Sequence, residues 1–141
     1  MRIWQKDYTL DNLQPRAMPS MADHLGIEVI DIGDDYLTMR MPVDDRTRQP
    51  RGLLHGGASC VLAETVGSVA SFLCVDAEKY VVAGLEINAN HVRGISEGYV
   101  VGTARPLHIG RSTHVWDIRI EAEATKKLIC VSRLTVAVLE R

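Results

Sequence analysis

One segment limits the fold more than any other. Residues 55–75, "HGGASCVLAETVGSVASFLCV", are apolar at helical spacing, and no other long stretch of the 141 residues has that period. The spacing predicts one long helix over residues 56–75. Elsewhere the apolar period is two. Leu37, Met39, Met41 and Val43 alternate with polar residues after the turn chemistry of Gly33-Asp34-Asp35, so residues 26–43 read as a hairpin. Beyond Lys79, the positions Val81, Ala83, Leu85, Ile87 and Ala89 face one way, and Glu86, Asn88 and Asn90 the other. Gly94 to Gly98 reads as a turn, and "YVVGTARPLHI" as a strand broken near Pro106 and Gly110. Trp116, Ile118 and Ile120 oppose Asp117, Arg119 and Glu121 in the next strand, and "LICVSRLTVAVLE" closes the chain. That last strand is apolar on both faces, which predicts a place inside the sheet.

The order is therefore two strands, one long helix and four strands. An antiparallel sheet with one apolar face needs a cover, and only the 56–75 segment can supply it. The expected fold is α+β, an antiparallel β-sheet wrapped around one long central helix. Residues 1–141 are expected to form a single domain. Two short helices precede the sheet. Thr9 is the expected cap of one ending at Leu13, Pro15 and Pro19 then break the chain, and Ser20 is the expected cap of one ending at Gly26.

Composition narrows the functions. A formal charge of −2 gives no basic field for nucleic acid. The apolar run falls short of the roughly 20 residues of a membrane span. Residues 1–21 lack the apolar core of a signal peptide, so the expected location is cytoplasmic, without membrane association. Cys60, Cys74 and Cys130 are scattered, with no C-x-x-C pair, which argues against a disulfide frame and against a metal site. Cys60 and Cys74 read as small core residues.

The helix start carries the chemistry. A helix N-terminus presents unpaired N–H groups and partial positive charge, and Gly56 and Gly57 leave those groups open to close approach. Two turns on, Glu64 stands among Val, Leu and Ala, on roughly one face with Gly57, Val61, Ser68 and Ser71. A carboxylate there is paired, solvated or functional, and partial burial would suit it to act as base or nucleophile. Arg51 is the candidate ion-pair partner under the structural reading. Gly56 and Glu64 are eight residues apart, about 12 Å along a helix. A donor to a carbonyl oxygen and a group attacking the carbon must both lie about 3 Å from their targets. One chain cannot bring both to one carbonyl. Two antiparallel helices from two chains can, so a catalytic site predicts at least a homodimer with shared sites.

With these residues in place, the chain resembles the hotdog-fold acyl-CoA thioesterases, in the branch of the Arthrobacter-type 4-hydroxybenzoyl-CoA thioesterases. The resemblance rests on "HLGI", "GDD", "GLLHGGAS", the glutamate nine residues after His55, "LEINANHVR", "PLH-G" and "RLT-AVL", and runs nearly end to end. Within the branch it is nearest to the thioesterases of 1,4-dihydroxy-2-naphthoyl-CoA in menaquinone synthesis, and next to those that proofread aroyl carrier proteins in enterobactin synthesis. It implies an aromatic acyl-CoA substrate, no metal or redox cofactor, and a homo-oligomer, a dimer of dimers. It implies that Glu64 is the catalytic carboxylate, that the Gly56 N–H polarises the thioester carbonyl, and that Gln49, His55 and Ser68 position the reacting groups. Read from the residues alone, His55 could simply cap the helix, Gln49 bond its loop and Ser68 pack. The resemblance also places His91, Arg93, His108, Gly110, Arg111 and Ser112 along the coenzyme A channel, Arg93 and Arg111 being the phosphate candidates. A hotdog dehydratase or an acyl-CoA-binding regulator are the alternatives.

Overall fold

The computed structural model describes residues 1–13 and 18–141. Its elements are a 3-10 turn at Asp11–Leu13, α1 Met21–His24, β1 Glu28–Ile32, β2 Leu37–Pro42, α2 Gly56–Leu73, β3 Tyr80–His91, β4 Tyr99–Ile109, β5 Thr113–Ala122 and β6 Leu128–Glu140. All six strands form one antiparallel sheet in the order β1-β2-β4-β5-β6-β3, and α2 packs against five of them.

The sheet can wrap the helix because glycine and leucine alternate across the contact. A Cβ on Gly67 of α2 would lie 2.6 Å from Leu134 of β6, and one on Gly102 of β4 would lie 3.2 Å from Leu62 of α2. Leu62, Val66 and Ala70 fill the concave side with Met41, Val100, Trp116, Ile118, Leu134 and Val136, all fully buried. Ser71, expected beside Glu64, instead turns inward, where its hydroxyl accepts the Trp116 indole N–H at 2.7 Å. A buried indole donor needs such a partner. At 18 residues and a mean hydropathy of 1.3, α2 meets the length and composition of a short membrane span, which the sequence reading did not anticipate; half of it is buried inside this fold. A wide apolar face is what a one-helix core requires, and Glu64 and Ser68 lie off it, on a cleft.

Several local expectations change. The first helix is only a 3-10 turn, with the Thr9 carbonyl accepting from Asn12 and Leu13 and the Asn12 side chain accepting the Thr9 N–H. The break expected at Pro15 lies outside the described residues. Ser20 does cap α1, in a reciprocal box with Asp23. β4 continues through Pro106 with a bulge rather than breaking. β6 lies inside the sheet, between β5 and β3. The largest revision concerns β3. A bulge between Gly84 and Glu86 inserts Leu85, so the concave face carries Val82 and Gly84, then Ile87, Ala89 and His91. Val81, Ala83 and Leu85 do not share a face with Ile87, because one inserted residue inverts the alternation. Cys60 and Cys74 are half-buried and Cys130 is buried, all as free thiols. Burial pushes the Cys74 thiol up to about 12; Cys130 goes to about 11, by burial first and then by its neighbour Cys60. Both are poor nucleophiles.

Candidate active site

α2 begins where the loop 44–55 is pinned from several sides. Thr47 is buried and its hydroxyl donates to the Pro42 carbonyl at 2.8 Å, while its own carbonyl accepts the His55 N–H at 2.8 Å. His55 is the N-cap: its Nδ1 accepts the Gly57 N–H at 2.7 Å. The ring therefore carries its proton on Nε2 when neutral. The Ala58 and Ser59 N–H groups donate to the His55 carbonyl at 3.0 and 3.3 Å. Of the first-turn amides, only Gly56 N–H has no partner among the described residues.

Each opening glycine makes room for a histidine of the same chain. A Cβ on Gly57 would meet His55 Nδ1 at 2.9 Å, and one on Gly56 would meet His91 Nε2 at 2.9 Å. The His91 ring, at the end of β3, thus fills the space beside Gly56 that a side chain there would take. Gln49, Gly56, Ser59, His91 and Arg93 line one cleft of about 370 Å³. Within it the Gln49 carboxamide oxygen accepts the Arg51 N–H, which leaves its NH2 group for other partners. His55 and Gln49 thus do what their structural readings required, and each still has a polar group to offer.

Glu64 lies in a different place. Glu64 and Ser68 line a second cleft of about 280 Å³ with Ser20, Met21 and Val69. Glu64 is exposed, so the partial burial expected of it is not supplied by this chain. No ion pair joins it to Arg51 among the described residues. Its carboxylate lies over Gly84 of β3, where a Cβ would be 2.7 Å from Oε1. Gly84 was not singled out from the sequence; the available signal was a glycine inside a strand pattern.

The channel residues divide as well. His91 is level with Cys130 on β6, whereas the β4–β5 turn holding Gly110, Arg111 and Ser112 is level with Ala137, about 23 Å further along the strand. Gly84, opposite Val136 and through it His114, lies at the turn end of the sheet. One chain therefore gathers Gln49, His55, Gly56, His91 and Arg93 at one end, and Glu64, Ser68, His108, Gly110, Arg111 and Ser112 toward the other. His108, Arg111 and Ser112 are exposed, and the Ser112 carbonyl accepts the Val138 N–H at 2.9 Å.

Comparison with known proteins bears on this arrangement. The Thioesterase superfamily profile matches residues 51–129, which hold most of these residues. The chain is 53% identical to the 1,4-dihydroxy-2-naphthoyl-CoA hydrolase of Escherichia coli K12, over 97% of this chain and 99% of that one. It is 47% identical to the proofreading thioesterase EntH of Cronobacter turicensis, over 97% and 98%. The crystal structure of a glutamine-to-alanine variant of a Pseudomonas aeruginosa thioesterase superposes with a TM-score of 0.94, at 50% identity over 99% of each chain. A Staphylococcus aureus thioesterase has a TM-score of 0.81 at 41% identity, over 84% of this chain and 97% of that one. That Staphylococcus protein has been solved as a glutamine-to-alanine and as a glutamate-to-alanine variant, at positions fifteen residues apart, which is the spacing of Gln49 and Glu64 here. The chain belongs to the thioesterase superfamily and is a thioester hydrolase of hotdog fold.

Proposed function

We propose that this thioesterase acts as a homodimer whose sites are shared between chains, and that it hydrolyses an aromatic acyl-CoA. The observation that carries this reading is the division of α2. Its free Gly56 amide and its Glu64 carboxylate line separate clefts, eight residues and about 12 Å apart. A second, antiparallel α2 places the Glu64 of one chain opposite the Gly56 of the other. The Gly56 N–H then polarises the thioester carbonyl. Glu64 either takes a proton from the water that attacks the carbonyl carbon, or attacks that carbon itself to form an acyl-glutamate anhydride that water then hydrolyses; in either route the oxyanion collapses and expels the coenzyme A thiolate, which takes up a proton released by that water. Gln49, His55 and His91 orient the thioester, and Ser68 holds the carboxylate or the water. Arg93 of one chain and Arg111 of the other, with His108, Gly110 and Ser112 beside the latter, contact the coenzyme A arm. The whole chain works as one domain, in the cytoplasm, in a dimer of dimers.

The identity to the Escherichia coli hydrolase favours 1,4-dihydroxy-2-naphthoyl-CoA, hence a step in menaquinone synthesis. The Cronobacter relative favours a second reading, an aroyl carrier protein as substrate. Values of kcat/KM for dihydroxynaphthoyl-CoA, hydroxybenzoyl-CoA, a medium-chain acyl-CoA and an aroyl carrier protein decide between them; the first is expected to be highest. Subunit complementation tests the shared site. Glu64→Ala and Gly56→Val are each expected to be nearly inactive. Mixed randomly, half the dimers are hybrids with one intact site of two, and about a quarter of wild-type activity returns. Hybrids isolated by tag and found inactive would rule the shared site out.

A further inference from the structure

Gly84 has no conformational reason to be glycine. It sits inside β3, where glycine weakens a strand unless a bulge, a backbone or a ligand needs the space. Its φ is not among the left-handed values, which belong to Gly26, Gly52 and Gly98, so alanine can adopt its backbone. Nor would a Cβ there meet another backbone. Among the described residues, and apart from its chain neighbours, the only atoms within 4 Å of it are Oε1 of Glu64, at 2.7 Å, and Cδ of Glu64, at 3.8 Å. The bulge that follows turns Gly84 and not Leu85 toward the helix: Gly84 is paired with Val136 on the concave face, and Leu85 is 64% exposed.

From this we infer that Gly84 is a positioning residue for Glu64: the bulge aims a bare Cα at the carboxylate, and the missing side chain sets how closely Glu64 lies on β3. The inference rests on the reading of Glu64 as the reacting carboxylate. The obstructed group is the free end of an exposed side chain and not a packed wall. An added methyl at residue 84 therefore displaces the carboxylate and leaves the fold intact. A displacement of about an ångström at the reacting group costs roughly ten- to a hundredfold in rate.

The test is a kinetic cycle on the intact enzyme. Glu64→Ala is measured first, and retention of wild-type kcat would remove the premise by itself. With that variant inactive, Gly84→Ala is expected to lower kcat by about tenfold or more, with KM, melting temperature and oligomeric state unchanged. The Glu64→Asp background supplies the readout that a structural role would not move. Its carboxylate is one methylene shorter and withdraws from Gly84, so adding Gly84→Ala there is expected to cost less than twofold. Three outcomes overturn the proposal: wild-type kcat in Gly84→Ala, an effect confined to KM, which would mean that Gly84 makes room for substrate, or an equal loss in both backgrounds.

Discussion

A residue's chemistry here depends on what its neighbours leave undone. His55 satisfies the Gly57 amide and the His55 carbonyl takes Ala58 and Ser59, which leaves Gly56 N–H as the open donor of the first turn. Glu64 is exposed and rests over Gly84 of β3, the one position there with no side chain to meet it. If Glu64 is the proposed nucleophile or base, Glu64→Gln keeps the size and removes that group, so kcat is expected to fall by at least about a hundredfold. Since Glu64 has no ion pair among the described residues and is exposed, the thermal midpoint should stay at the wild-type value. A variant with more than a tenth of wild-type kcat would place the reacting carboxylate elsewhere. Under the proposed phosphate contact, Arg93→Ala is expected to raise KM for coenzyme A thioesters at nearly constant kcat and to leave truncated pantetheine thioesters unaffected, because a remote contact stabilises ground and transition states alike.

At the scale of elements, the long helix and the sheet hold each other through reciprocal gaps. Gly67 is buried in the middle of α2, where glycine costs about 1 kcal/mol relative to alanine. It is tolerated because a Cβ there would press on Leu134 at 2.6 Å and on Ile118 at 3.3 Å. Both neighbours are fully buried, so neither can swing into solvent. Gly67→Val is therefore expected to destabilise the protein by about 1–3 kcal/mol, read from denaturant midpoints at unchanged m-value. The contrast with Gly84 is informative. The Gly67 contact is with packed core and should appear in stability, whereas the Gly84 contact is with a free carboxylate and should appear in rate.

At the scale of the molecule, His114 is a buried group that couples folding to pH below neutrality. His114 on β5 is 2% exposed, and its Nδ1 has no hydrogen-bond partner. Burial first, and then the charge of His108, holds its pKa below the ordinary 6.5. The unfolded chain therefore binds the proton more readily than the folded one. Stability is full above about pH 6.5 and is lost as pH falls from there through the folded value. His114→Phe fills the same place beside Trp116 without a titratable ring. Denaturation at a series of pH values from about 7.5 down to about 5 should show wild type losing more stability than the variant. Parallel curves would mean that His114 is not the group responsible. α2 holds the Gly56 amide and the Glu64 carboxylate in two separate clefts, so the proposal that they act on one thioester requires a second chain.

Much of this was legible in the chain. The switch of period from 3.6 to 2 separated one helix from the strands, and with one greasy helix only one wrapping was economical. The spacing of Gly56 and Glu64 implied two separated groups because helical rise is constant, whatever surrounds the helix. Ser20 capped α1 as expected because capping is local. What only the tertiary structure decided was pairing across long sequence distance. The bulge at Leu85 follows from the register of β3 on β6, and no alternation rule reveals an inserted residue until the partner strand is in place. For the same reason Ser71 looked like a companion of Glu64 until Trp116 lay beneath it, and no local pattern showed that the His91 ring would lie beside Gly56. Helical and strand periods are properties of neighbouring residues, whereas register is a property of two segments meeting, and the revised faces of β3 and of Ser71 depend on such meetings.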